Sequence, residues 1–333
     1  MREPAFWWRK PGLAAGLLAP LGTLYGTVAS ARLTRRGVRA AVPVVCIGNP
    51  TVGGAGKTPL ALTLARLLQA AGEAPVLLSR GYGGRLAGPL RVDAARHNAA
   101  EVGDEPLLLA RAAPTVVARD RVAGAQEAVA AGASVIVMDG GFQNPSLQKS
   151  FSVLVVDARR GIGNGRVVPA GPLRAPLRAQ LVRADALVMV GASDDDGVAA
   201  AARGCGLPVF RARLAPEAAV VAALAGARVL AFAGIGDPGK FFATLAGLDI
   251  AVASRVSFPD HHRYAPAQAR MLCEQADRES LTLLTTEKDL ARMQGDPDLA
   301  ALAARARALP VTLTLADAGG FMRLLGTTIA AAR

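Results

Sequence analysis

Lys57 and Thr58 close the stretch GNPTVGGAGKTP, which runs from Gly48 to Pro59. A loop of the form G-x-x-x-x-G-K-[ST] wraps backbone N–H groups around a phosphate, backs them with a helix N-terminus and sends a lysine to the outer oxygens. Set in register on Gly56, Lys57 and Thr58, that pattern asks for glycine at 51, and this chain has Thr51. Gly53, Gly54 and Gly56 still permit close backbone approach. Thr51, Val52, Gly53, Gly54, Ala55, Gly56 and Lys57 are therefore assigned to the phosphates of ATP, and Thr58 to those phosphates and to Mg²⁺. One variant of the loop, found in partition and iron-transfer ATPases, carries a further lysine just before the paired glycines; Val52 stands there instead.

Such a loop needs an acid to organise the metal, commonly at the end of a neighbouring apolar strand. SVIVMDGG offers Asp139, although a lone aspartate there also serves as a helix cap. VGDEP sets Asp104 and Glu105 at the start of a predicted helix, where N-capping is the competing role. SFPDHHRY places Asp260 beside His261 and His262. A phosphotransferase must orient and deprotonate a hydroxyl, a task suited to a carboxylate steadied by an imidazole. Asp104 and His261 are the catalytic candidates.

Positioning these groups requires an α/β fold with a mostly parallel sheet, because apolar β-type runs alternate with Ala/Leu-rich helical ones. Strands are predicted at Val42–Ile47, Ala74–Ser79, Thr115–Ala118, Ser134–Met138, Ser152–Val156 and Ala186–Val190, with helices at Lys57–Ala71, Glu105–Ala112 and Arg121–Ala131. A second set of strands follows near Arg228–Ala233, Ala251–Val256, Thr282–Thr285 and Val311–Leu315. The mixed segment Gly191–Glu217, acidic at SDDD, is the expected boundary. Three units result: an N-terminal apolar helix over 1–35, a phosphate-loop core over 36–215 and a smaller α/β lobe over 216–333.

The 333 residues carry 38 basic and 26 acidic side chains, a formal charge of +12 that favours an anionic partner. Aromatics at 4% argue against single-stranded nucleic acid, whose bases stack on exposed rings. Cys46, Cys205 and Cys273 are too dispersed for a disulfide framework or a metal cluster, and fit a reducing cytoplasm. Pro11 to Ala31 has no charge and is flanked by Arg9, Lys10, Arg32, Arg35, Arg36 and Arg39. A signal peptide, a spanning helix and a helix packed on the core all compete here. Leu13, Leu17, Leu21, Leu24 and Val28 recur at helical spacing, with Trp7 and Trp8 upstream where interfacial aromatics would sit, so an in-plane membrane helix is the expectation.

Taken together, GNPTVGGAGKTP, LSRGYGG, VGDEP, MDGGFQN, VVDARRGIGNGRVVPAGPLR, FAGIGDPGKFF, FPDHHRY and TTEKD resemble, in order and spacing, the tetraacyldisaccharide 4′-kinase family of lipid A synthesis. That family also has Ser or Thr where Thr51 stands. The resemblance implies ATP-dependent phosphorylation of the 4′-hydroxyl of an acylated glucosamine disaccharide 1-phosphate at the cytoplasmic face of the bacterial inner membrane; the net charge favours an anionic membrane surface as partner, and the dispersed basic residues and few aromatics speak against nucleic acid. It implies Asp104 as general base assisted by His261, and Lys57 and Thr58 on phosphates and Mg²⁺, while Asp139 keeps the metal role that its strand-end position beside the loop suggests; Arg80, Gln143, Lys288 and Asp289 are motif positions without an assigned role. The chain departs from the family pattern at Gly140 and Ala175, where acids are usual, and at Leu147 to Ser150. The alternatives are a partition or metallochaperone-type ATPase switch, or a degenerate kinase relative.

Overall fold

The structure is a computed structural model that describes residues 3–193 and 196–333. Asp194 and Asp195 of the acidic boundary run lie outside the described residues.

Thirteen strands follow in chain order: β1 Val44–Gly48, β2 Pro75–Ser79, β3 Leu90–Arg91, β4 Thr115–Val117, β5 Val135–Asp139, β6 Phe151–Asp157, β7 Ala186–Val190, β8 Val209–Pro216, β9 Arg228–Ala233, β10 Ala251–Ser257, β11 Thr282–Thr286, β12 Arg307–Leu309 and β13 Val311–Leu315. Nine of them form one sheet in the order β13-β8-β7-β6-β1-β5-β2-β4-β3. Its centre is parallel, and antiparallel pairs occur only at the edges, β13 on β8 and β3 on β4. Strands buried on both faces must be apolar throughout rather than alternating, and VVCIG, VIVMD and ALVMV are buried at every position.

Helices seal both faces. On one face Leu60, Leu64 and Leu68 of the helix Lys57–Ala70 recur one turn apart and pack with Phe321, Leu325 and Ile329 of the helix Ala318–Ala332. Each fully buried leucine contributes roughly 1.5–3 kcal/mol, which fixes the start of that helix, and with it the phosphate loop, against β1. The other face is closed by Ala125 and Ala128 with Ala199 and Ala202.

The second sheet, β10-β9-β11-β12, is wholly parallel and has its own core around Leu230, Phe232, Leu272 and Leu302. The chain then crosses back. β13 and the terminal helix, expected with the smaller lobe, belong by hydrogen bonding and packing to the larger sheet. β8 lies inside the segment expected as a boundary, because its half-buried position, one strand in from the edge strand β13, lets PVFRARLAP mix charged and apolar residues.

The N-terminal helix spans Leu13–Leu33 and is, among the described residues, the one helix long and apolar enough to cross a membrane. Its small residues face the protein. A side chain built on Gly22 would come 2.8 Å from the Val167 carbonyl oxygen, and one on Gly26 would come 3.4 Å from Pro176. Its large residues face outward, with Leu13 90% and Leu17 81% exposed and Leu21, Leu24 and Val28 beside them. The two tryptophans depart from expectation: Trp7 is buried and donates its indole N–H to the Pro169 carbonyl at 2.9 Å, and the Arg160 guanidinium lies 3.8 Å over the Trp8 ring. Both anchor the segment before the helix to the protein body.

Candidate active site

β1 delivers the chain to the loop at Gly48, and the Asn49 amide then donates to the Thr51 and Gly53 carbonyls at 2.6 and 2.9 Å. A facing segment braces the loop from outside. Val52 N–H donates to Pro172 O and Arg174 N–H to Pro50 O, both at 2.8 Å, while Arg174 Nε–H reaches Thr51 O at 2.9 Å. Thr51 is thereby paired antiparallel with Leu173. Threonine suits such extended backbone, and glycine's freedom is not needed there. It is needed at Gly53 and Gly56, each with φ of +96°. Gln143 supports the base of the loop, donating to Asn49 O at 3.1 Å and to Gln180 Oε1 at 3.0 Å.

Lys57 and Thr58 open the helix behind the loop. Thr58 Oγ1 donates to Asp139 Oδ2 at 2.9 Å, whereas Asp139 Oδ1 is buried with no partner. Burial, together with the nearby Glu105 charge, pushes the Asp139 carboxyl above its ordinary value against the pull of Lys57. A hydroxyl and one carboxylate with an unused oxygen fit Mg²⁺, which takes few protein ligands and completes its shell with water and phosphate oxygens. No group of three or more His, Cys, Asp or Glu side chains is arranged around a metal position among the described residues. At Gly140, φ is +82° and a Cβ would meet nothing within 4 Å, so the space where an acid is usual is open. Ala175 is fully buried.

The two catalytic candidates meet across the lobes. Asp104 begins the helix Asp104–Leu109 of the larger lobe and is 3% exposed; His261 follows β10 in the smaller lobe, with Nδ1 3.4 Å from Asp104 Oδ2. His261 adopts φ of +53°, and its ring lies 4.8 Å from that of Tyr82. Burial alone would raise the Asp104 carboxyl and lower the His261 imidazole. Their mutual hydrogen bond, joined by Arg292 and Lys288 on the acid side, overrides burial, so Asp104 is held well below the carboxylate range and His261 above its ordinary value. Asp260, the nearer acid in sequence, stands 3.9 Å from His261 Nε2. His262 stacks on Phe258 and pairs with Gln268.

The structure places the motif positions that the sequence leaves without a role. Lys288 Nζ lies 2.5 Å from Glu105 Oε1, which ties the TTEKD segment to the VGDEP helix. Asp289 is fully buried and accepts from Gly234 N–H, Tyr264 Oη and Arg292. Lys240 of the FAGIGDPGKFF segment pairs with Asp157 at the end of β6, at 2.6 Å. Arg80 is exposed. Between the lobes, a cavity of about 320 Å³ opens beside Thr58 and is lined by Leu62, Val190, Leu214, Lys240 and Phe241. It lies at the carboxyl ends of β7 and β8, where open parallel sheets bind ligands.

This constellation sits on a chain whose residues 14–330 match the family described as tetraacyldisaccharide-1-P 4′-kinase. The chain belongs to that family. Its relatives include tetraacyldisaccharide 4′-kinases of Rhodopseudomonas palustris (strain BisA53), 57% identical over 100% of this chain and 97% of the relative, and of Nitrobacter winogradskyi, 53% identical over 100% and 99%. Among solved structures, the "apo" form of LpxK from Aquifex aeolicus, crystallised in complex with ATP, matches with a TM-score of 0.74 at 28% identity and covers 95% of this chain and 100% of that one. As a tetraacyldisaccharide 4′-kinase family member the chain is an enzyme, a kinase of lipid A biosynthesis, and the ATPase-switch alternative is not favoured.

Proposed function

We propose that this kinase transfers the γ-phosphate of ATP to the 4′-hydroxyl of tetraacyldisaccharide 1-phosphate, with Asp104 as general base and His261 as its partner. The observation that carries this assignment is the Asp104–His261 pair, assembled from two lobes and joined to the phosphate loop through Glu105, whose charge acts on Lys57 and Asp139. Asp104 accepts the hydroxyl proton while His261 holds the carboxylate and offers its other nitrogen to the incoming sugar. Because phosphoryl transfer passes through a loose transition state, catalysis rests on alignment and charge neutralisation more than on base strength.

Residues 51–58 cradle the phosphates, with Lys57 on the outer oxygens, and the 320 Å³ cavity takes the base of the nucleotide. Thr58 and Asp139 hold Mg²⁺, whose charge offsets that of the phosphates. The exposed leucine row and the exposed Arg9, Lys10, Arg32, Arg35 and Arg36 bind the chain to the anionic cytoplasmic face of the inner membrane, in the plane of the interface. Nucleic acid has no part in this reading.

The test is transfer of labelled γ-phosphate from ATP to tetraacyldisaccharide 1-phosphate in detergent micelles, with Mg²⁺ titrated and Lys57→Ala alongside. Product phosphorylated at the 4′ position and lost in Lys57→Ala is expected. ATP binding without any transfer would sink the proposal and favour a degenerate relative.

A further inference from the structure

Asp104 has a second partner, from the smaller lobe, that none of the motif positions named. Arg292 lies in the helix Glu287–Met293, which follows β11, and its side chain is 7% exposed. Its Nε–H donates to Asp104 Oδ2 at 2.7 Å, shorter than the 3.4 Å separating the same oxygen from His261. The other arm of the guanidinium is held within its own lobe, with Nη1 donating to Gly234 O and Asp289 Oδ1, both at 2.8 Å. Asp289 is itself immobilised: it accepts from Gly234 N–H at 2.9 Å, Tyr264 Oη at 2.7 Å and Thr286 Oγ1 at 2.5 Å. The remaining Asp104 oxygen, Oδ1, accepts from Glu105 N–H at 2.9 Å.

We propose that Arg292 is the positioning residue of the phosphotransfer reaction, a fork carried by the smaller lobe that fixes the Asp104 carboxylate in the orientation from which it takes the hydroxyl proton. The inference rests on Asp104 being the base. Three physical points support it. A guanidinium stays protonated at any working pH, so Arg292 holds the carboxylate without competing for the proton that Asp104 must accept. The planar fork fixes direction as well as charge, which a lysine or the more distant imidazole does not. Arg292 Nη2 is buried without a partner, and leaving a buried donor unsatisfied is costly, a poor arrangement for an arginine whose work is only to hold the lobe together.

The smaller lobe thereby acquires a defined task. Asp289 fixes Arg292, Arg292 fixes Asp104, and the base on the larger lobe is aligned only while the two lobes are docked.

The experiment compares full-length wild type, Asp104→Asn, Arg292→Met and the double variant by single-turnover transfer in micelles, with Tm and ATP binding measured on each. Asp104→Asn is expected to lower kcat by about 10³-fold, within the usual range for a general base. Arg292→Met is expected to lower kcat about 100-fold with KM for ATP within about 2-fold, and the double variant to fall no further than Asp104→Asn, because the two act as a unit. Arg292→Lys serves where Met folds poorly; it keeps the charge without the fork and is expected to recover Tm while kcat stays about 10-fold low.

A folded Arg292→Met or Arg292→Lys with wild-type kcat, or a double variant whose loss is the product of the two single losses, overturns the positioning role while leaving Asp104 in place. Wild-type kcat in Asp104→Asn removes the base itself, and the inference falls with it.

Discussion

Thr58 and Asp139 share one hydrogen bond of 2.9 Å and leave the second Asp139 oxygen buried with nothing to accept from. A buried carboxylate oxygen without a partner costs free energy that a bound cation repays. In the proposed reading the pair is a half-built metal site that Mg²⁺, brought with the nucleotide, would complete. We expect Asp139→Asn to raise the Mg²⁺ concentration for half-maximal rate by at least about 10-fold, in line with losses seen when metal-site residues are removed. Rates measured across a Mg²⁺ titration at fixed ATP decide it, and an unchanged midpoint would remove Asp139 from the metal.

The Asp104–His261 contact predicts a pH signature. His261 is held above its ordinary 6.5, so its contribution to stability is complete below 6.5 and is lost as pH rises through its folded value. Asp104 is held below its ordinary 3.8, so its contribution is present above 3.8 and is lost as pH falls toward its folded value. The Tm gap between wild type and Asp104→Asn should therefore be widest between those two ordinary values and narrow on the alkaline side, where the Arg292 contribution alone persists. With three histidines in the chain, an NMR titration resolves His261 directly. Its pKa should drop in Asp104→Asn, and a midpoint that stays put would show that another group sets it.

How far the sequence discloses such a site depends on whether the signal is local. The phosphate loop is local: glycines, lysine and threonine do their work within one turn, so GGAGKT reads directly. Even there Thr51 looked anomalous, because the extended pairing that makes it ordinary comes from Leu173, far along the chain. Asp104 and His261 were each visible as acid and imidazole, but which acid faces which ring is a property of lobe docking. The neighbour in sequence, Asp260, is the more distant one. Arg292 was silent because one arginine among 38 basic residues carries no pattern. β13 joins the larger sheet rather than the expected smaller one for a similar reason, since its apolar run does not say which edge it joins. Trp7 and Trp8 pack on the protein body rather than at an interface, and the sequence does not distinguish the two, because an aromatic pair before an apolar helix suits both equally well.

Gly140 offers a gain-of-function test. The open space there would accept a carboxylate beside Asp139, and aspartate tolerates positive φ better than most residues at a cost of about 1 kcal/mol. Gly140→Asp should lower the Mg²⁺ requirement while lowering Tm slightly. A higher requirement would mean that one acid is already the optimum for this loop.

The membrane reading is best tested on the exposed row rather than by deletion. Removing the first 31 residues would also strip the indole contact of Trp7 and uncover the surface that Gly22 and Gly26 pack against, so lost binding and lost folding would be confounded. Leu17, Leu21 and Leu24 are 81%, 57% and 66% exposed and face away from that surface. Exchanging all three for serine leaves the packed edge intact and removes the apolar area that an interface would bury. At roughly 1.5–3 kcal/mol for each large side chain transferred fully, even partial insertion of three makes the loss at least about 100-fold in partitioning. Flotation with vesicles containing anionic lipid reads this, and raising the salt should weaken wild-type binding further through the basic flanks. Vesicle binding unchanged in the triple variant would place the membrane contact elsewhere. Retained transfer to substrate in detergent micelles, with loss only on vesicles, would show that the helix delivers the enzyme to its lipid rather than building the chemical site.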